Sequence, residues 1–146
     1  MISVNRLQAV VNHVAQVAGV KPVPAVPYFD FDLNAAAVGP PEHIEVSLAT
    51  LAALDEFQLQ GVLAHELAHI EAYRKDEAKG GGTEDEADKW AIEHGFGPQL
   101  LSAQEKAREL FGESCGEGVH RCNSERIELQ KQWIAEVEAR TRKATA

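Results

Sequence analysis

The chain has 146 residues, of which 45% are hydrophobic and 25% are charged. This composition is typical of one globular domain spanning 1–146, and it excludes disordered, fibrous and collagen-like proteins. The net charge of −9 repels phosphate backbones, so we expect no nucleic-acid partner. No apolar stretch is long enough for a membrane span and no export signal is evident, so we expect a cytoplasmic protein.

Residues 1–29 predict an N-terminal helix and a connector. Apolar side chains recur at helical spacing from Asn5 to Ala18, and Gly19 follows where glycine commonly ends a helix. Three prolines within 21–27 exclude a helix interior and a central strand, which predicts an extended connector. Short strands or loop are expected from Tyr28 to Val38.

The middle of the chain predicts one strand and two helices. Apolar and polar residues alternate over 43–47, which indicates a strand, and we expect it at a sheet edge. Ser47 can cap a short helix that runs to Leu54. Asp55 and Gln58 then have the spacing of a capping box for a long apolar helix that reaches about Lys75.

The remaining residues predict three more helices and therefore a helix-rich α+β fold with a small sheet. Glycines at 80–82 are expected to separate the long helix from the next one. A Thr83–Glu86 capping box then begins a helix that extends to Gly95. The next helix is expected from Pro98 to Phe111. A loop over 112–123 then leads to a polar helix over 124–142.

The strongest functional signal is the sequence His65-Glu66-Leu67-Ala68-His69. Residues four apart share one face of a helix, so two imidazoles can hold one metal ion. Glu66 lies about 100° further round and can reach a water on that ion as a general base.

A catalytic zinc usually takes three protein ligands, so the two histidines need a third. The helix after the glycines offers several candidates: Glu84, Asp85, Glu86, Asp88 and His94. Glu84 and Asp88 share a face with small alanines, so we expect Glu84 as the third ligand and Asp88 as the acceptor of a histidine N–H. The alternative is a solvated acidic first turn that is favoured by the helix dipole.

These residues resemble a known family, the gluzincin metallopeptidases of the CAAX-prenyl-protease and HtpX type. The family's E-x-x-A-D motif matches Glu84-x-x-Ala87-Asp88. The resemblance covers roughly residues 30–130 and leaves 131–146 as a helix end and tail. Further segments carry it in the same order: Asn34-Ala35-Ala36-Ala37, Ile44-Glu45-Val46-Ser47, Gln60-Gly61-Val62-Leu63-Ala64, and His120 with Arg126-Ile127. Since membrane segments are lacking, the chain looks like a minimal soluble minigluzincin.

The resemblance implies a zinc-dependent endopeptidase with one Zn²⁺ per chain. His65, His69 and Glu84 would bind the metal, and Glu66 would activate the zinc-bound water. Its substrate would be an extended polypeptide.

The resemblance also implies roles for two other segments. His120, held by Arg126, would stabilise the oxyanion or close over the metal, although Arg121 replaces the family's proline. The predicted edge strand, through Ile44, Glu45 and Val46, would bind the polypeptide as an added strand.

Other interpretations stay open. The minimal size and Arg121 also fit a latent or non-catalytic zinc-binding protein with a regulatory protein partner. A zinc hydrolase that acts on a non-peptide bond is a third alternative. Cys115, His120 and Cys122 would form a second zinc site only with another ligand, and the two cysteines would form a disulfide only in an oxidising compartment. The simpler interpretation is that Cys115 and Cys122 are two reduced thiols.

Overall fold

The computed structural model describes residues 2–112 and 124–145. These ranges fold into six α-helices and three short strands, which confirms the helix-rich α+β class. In chain order they are α1 (Val4–Ala18), β1 (Ala25–Tyr28), β2 (Ala35–Val38), β3 (His43–Ser47), α2 (Leu48–Ala53), α3 (Glu56–Lys75), α4 (Glu84–Ala91), α5 (Gly97–Phe111) and α6 (Ser124–Thr145). Within the described ranges, none of the helices is long and apolar enough to cross a bilayer.

The sheet has the strand order β1-β3-β2, with β3 parallel to β1 and antiparallel to β2. The expected edge position of Ile44, Glu45 and Val46 is therefore wrong, because β3 is the central strand and has a partner on each side. Part of the predicted connector forms β1, which includes Pro27. This agrees with the exclusion of a central strand, because β1 is an edge strand, where a missing N–H is tolerated.

Helix α3 lies at the centre of the domain. Its buried leucines Leu59, Leu63 and Leu67 contribute to one core that includes α1, β3 and α5. A Cβ built on Gly61 would overlap the backbone of Gln99 and Leu100. Glycine at 61 is therefore what lets α5 pack directly against α3.

The helix ends follow the predicted capping residues, with one difference at α4. The Asp55–Gln58 capping box begins α3, and the Thr83 side chain accepts the Glu86 N–H at the start of α4. Helix α4 ends at Ala91, short of the predicted Gly95, and a π turn continues over Ile92–Phe96. Gly95 has φ 94° in this turn, a left-handed conformation that interrupts the α-helix.

Candidate metal centre

Three potential metal ligands converge where α3 meets the first turn of α4. His65 and His69 lie one turn apart on α3, and their Nε2 atoms are 3.2 Å apart. Glu84 Oε2 lies 2.9 Å from His65 Nε2, and Glu84 Oε1 lies 2.9 Å from His69 Nε2. We call these two nitrogens and the Glu84 carboxylate the donor triangle.

Both imidazoles are oriented by a hydrogen bond on their other nitrogen. His65 Nδ1 lies 2.7 Å from Asp88 Oδ1, and His69 Nδ1 lies 2.7 Å from the Gly81 carbonyl oxygen. Since a carbonyl and an ionised carboxylate only accept, each Nδ1 carries the hydrogen and donates it. In the neutral rings each Nε2 then presents its lone pair to the donor triangle.

The donor triangle fits a zinc ion. Zn–N and Zn–O bonds near 2.0–2.2 Å at tetrahedral angles place ligand atoms roughly 3.3 Å apart, close to the 2.9–3.2 Å separations here. Two imidazoles and one carboxylate are a ligand set found in catalytic zinc sites, and they leave a fourth position for water or substrate.

The electrostatics around the donor triangle favour a cation. Burial lowers the pKa of His65, but its hydrogen bonds with Asp88 and Glu84 outweigh burial and raise the pKa to about 9. Burial raises the pKa of Glu84, but the two histidines outweigh it and lower the pKa to about 2. Both shifts reflect the close contact between the carboxylates and the imidazoles, and the same carboxylates would favour a divalent cation at this position.

Asp88 is fully buried, and three side chains form hydrogen bonds with it: His65, Arg126 and Gln130. Arg126 on α6 donates from Nε to Asp88 Oδ2 at 2.8 Å and from Nη2 to Oδ1 at 2.7 Å. Gln130, one turn later on α6, donates to Oδ2 at 3.1 Å. Burial raises the pKa of Asp88, but Arg126 and His65 outweigh it and hold the pKa far below its usual range.

The Glu66 carboxylate lies beside the donor triangle and is buried. Its Oε2 accepts the backbone N–H of Ala37 on β2 at 2.8 Å. Its Oε1 lies 4.0 Å from His65 Nε2. A backbone contact from the sheet therefore fixes the orientation of this carboxylate.

The structure brings together most of the residues singled out in the sequence: His65, Glu66, His69, Glu84, Asp88 and Arg126. Arg126 contacts Asp88 here, and its expected contact with His120 lies outside the described residues, as do Cys115 and Cys122. The hydrogen bond from Gln130 to Asp88 was not predicted, although a spacing of four from Arg126 places both residues on one helix face. The contact of the Ala37 N–H with Glu66 was also not predicted, although Ala37 belongs to the family-like segment 34–37.

Comparisons with known proteins identify a family for this chain. The model of peptidase family M48 matches residues 2–77, just over half of the chain. A curated protein named Protease HtpX homolog, from Acidiphilium cryptum (strain JF-5), is 48% identical in an alignment of 69 positions that covers 44% of this chain and 24% of that protein. The chain thus matches about a quarter of that relative's length. No solved structure matches. On the family match, the chain belongs to peptidase family M48.

Proposed function

We propose that this chain is a zinc-dependent endopeptidase in which His65, His69 and Glu84 hold one zinc ion and Glu66 is the general base. The observation that carries the proposal is the donor triangle with a buried, oriented carboxylate beside it. A bound zinc would polarise the scissile carbonyl and lower the pKa of water in the site. The family match supports peptide bonds as the target.

Glu66 is placed to move one proton during hydrolysis. Its carboxylate takes a proton from water as the water oxygen bonds to the carbonyl carbon of the scissile peptide. The same carboxyl group then gives the proton to the amide nitrogen as the carbon–nitrogen bond breaks. The Ala37 N–H holds the carboxylate in position for both transfers.

The substrate would lie along β2, since β3 has a neighbour on each side. Ser47 N–H donates to the Asn34 carbonyl at 2.9 Å, and hydrogen-bonded pairs alternate along an antiparallel ladder. The backbone groups of Ala37 therefore point away from β3, and its N–H already donates to Glu66. An extended peptide added at this edge would pass beside Glu66, and a backbone hydrogen bond to the Ala37 carbonyl would contribute to its affinity.

The test compares zinc content and cleavage of denatured casein for the wild type and Glu66→Gln. We expect about one zinc per chain in both proteins and at least roughly a 100-fold loss of cleavage in the variant. Glu71→Gln is the matched control on the same helix and should keep wild-type activity. Cleavage that survives Glu66→Gln contradicts the proposal, and a zinc-loaded but inactive wild type favours a non-catalytic regulatory protein.

A further inference from the structure

Two phenylalanines project into solvent from the loop between β1 and β2, residues 29–33, which we call the aromatic loop. Phe29 is 73% exposed and Phe31 is 82% exposed, more than any other large hydrophobic residue that the structure describes. Their rings contact each other edge to face, with centroids 5.0 Å apart. Adjacent exposed aromatic rings are typical of surfaces that bind other polypeptides.

Hydrogen bonds within the loop and to the start of α2 fix its backbone. The Asp32 N–H donates to Asp30 Oδ1 at 3.0 Å, and the Asp32 carbonyl accepts from Ser47 Oγ at 2.8 Å. The Asn34 N–H donates to Thr50 Oγ1 at 2.9 Å. An occupant would therefore meet a surface whose backbone is already ordered, which lowers the entropic cost of binding.

The surroundings of the aromatic loop are acidic. Residues 22–73 contain eight aspartates and glutamates but no lysine or arginine. Burial raises the pKa of Tyr28, and the carboxylates of Asp30 and Glu45 raise it further. A negative surface with exposed aromatic rings repels anionic lipid headgroups and favours a polypeptide segment in which apolar residues stand beside lysine or arginine.

The aromatic loop leads directly into β2, the strand along which the substrate is proposed to lie. The strand-like backbone from Asn34 to Ala37 spans about 10 Å. Phe31 lies three residues before Asn34, so it is within about 20 Å of Ala37. Because the Ala37 N–H contacts Glu66, a peptide segment at the loop would lie about three to six residues from the cleaved bond.

We infer that the aromatic loop is a second binding site for the polypeptide substrate, remote from the cleaved bond. It takes a segment that combines large apolar side chains with lysine or arginine. The inference rests on the proposed function, since β2 connects the loop to Glu66.

The first experiment measures binding without catalysis. Zinc-loaded Glu66→Gln is titrated with fluorescent Gly/Ser-rich peptides that carry a Leu-Lys-Leu-Lys, a Leu-Glu-Leu-Glu or a Ser-Lys-Ser-Lys block. We expect the Leu-Lys peptide to bind tightest, by about 10-fold or more. The added pair Phe29→Ser and Phe31→Ser should remove its advantage over the Ser-Lys peptide. The added pair Asp30→Asn and Asp32→Asn should remove its advantage over the Leu-Glu peptide.

The loop variants should fold, because both rings are exposed and asparagine at position 30 keeps an oxygen that can accept the Asp32 N–H. Phe57→Ser is the matched control, since Phe57 is 48% exposed on the first turn of α3. It should bind all three peptides as Glu66→Gln alone does.

Two outcomes of the binding experiment overturn the inference. One is Leu-Lys binding that survives the loss of both loop rings, or that equals Leu-Glu binding before any loop residue is changed. The other is binding to vesicles of phosphatidylglycerol and phosphatidylcholine that the pair Phe29→Ser and Phe31→Ser abolishes, since the loop would then be a membrane site.

The second experiment separates this inference from the proposed function. Two peptides share one cleavage segment, and one also carries Leu-Lys-Leu-Lys beginning three residues from the cut, on each side in turn. We expect the block on one side to lower KM about 10-fold without changing kcat, because binding away from the reacting bond is uniform. The pair Phe29→Ser and Phe31→Ser should remove this difference, and Phe57→Ser should keep it.

The two failures are distinguishable. If the wild type cleaves neither peptide, the proposed function fails, and the binding experiment decides the inference. If it cleaves both peptides with equal KM on either side of the cut, the inference is overturned and the proposed function stands.

Discussion

Residues 2–77 and 84–145 contribute to the metal centre in different ways. The first range matches the M48 family and supplies two histidines, the Glu66 carboxylate and the strand that orients it. The second range lies beyond that match and supplies the Glu84 carboxylate, and its buried α6 side chains hold Asp88 against His65. The family model thus matches one half of the chain, whereas the donor triangle needs both halves.

The difference has a physical origin. An HExxH helix places two ligands and a base by its own periodicity, so its sequence pattern is compact and easily matched. The Glu84 carboxylate and the residues that orient His65 come from two other helices. Their positions depend on how α4 and α6 pack against α3, which a local pattern does not specify.

The largest effect beyond residue 77 is expected from Glu84→Ala, which removes one of the three proposed ligands. Loss of an outer hydrogen-bond partner alone costs about 10–100-fold in metal affinity, so zinc affinity should fall by more than about 100-fold. The measurement is competition titration with a chromogenic chelator. Asp85→Ala, at the exposed neighbouring position of the same helix, should bind zinc like the wild type. Unchanged affinity in Glu84→Ala would mean that the second range does not supply a ligand.

Asp88→Asn should have the next largest effect on the metal. It weakens the acceptor of the His65 Nδ1–H, and we expect zinc affinity to fall by about 10–100-fold. It also leaves the buried Arg126 without its ionised partner, which should lower the free energy of unfolding by about 3 kcal/mol or more. Chelator competition and urea unfolding of the metal-free protein measure the two effects, with Asp85→Asn as control. A variant that loses stability but keeps full zinc affinity would limit Asp88 to a structural role.

Gln130→Ala should have the smallest effect, because Arg126 still holds Asp88. Loss of one hydrogen bond to a charged group costs about 1.5–3 kcal/mol of stability. Zinc affinity should fall less than in Asp88→Asn, and the same two measurements apply. Gln132→Ala, at an exposed position of α6, should match the wild type. A larger loss of zinc affinity than in Asp88→Asn would contradict this order.

Much of the fold was predictable from local signals. Gly19 ends α1 in a left-handed conformation, and the Asp55–Gln58 box begins α3, because capping depends on residues close in sequence. The sheet order was not predictable in this way. The alternation over 43–47 predicts one buried face, which β3 has, but it carries no information on which strands flank it. The pairing of β3 with β1 and β2 depends on contacts distant in sequence.

The candidate metal centre was likewise predictable only in part. The spacing within His65-Glu66-x-x-His69 and between Glu84 and Asp88 indicated the residues that converge. Gln130 and the Ala37 N–H reach the centre only through the packing of α6 and β2, so the sequence pattern did not reveal them.

The central claim is that residues from both ranges hold one zinc ion. X-ray absorption spectroscopy at the zinc edge, on wild-type protein loaded with one equivalent of zinc, tests it most directly. The account predicts two imidazoles and light oxygen or nitrogen atoms at about 2.0–2.2 Å, with a changed spectrum or lost zinc in Glu84→Ala. A sulfur atom at about 2.3 Å, as cysteine would give, or an identical spectrum in Glu84→Ala would contradict it.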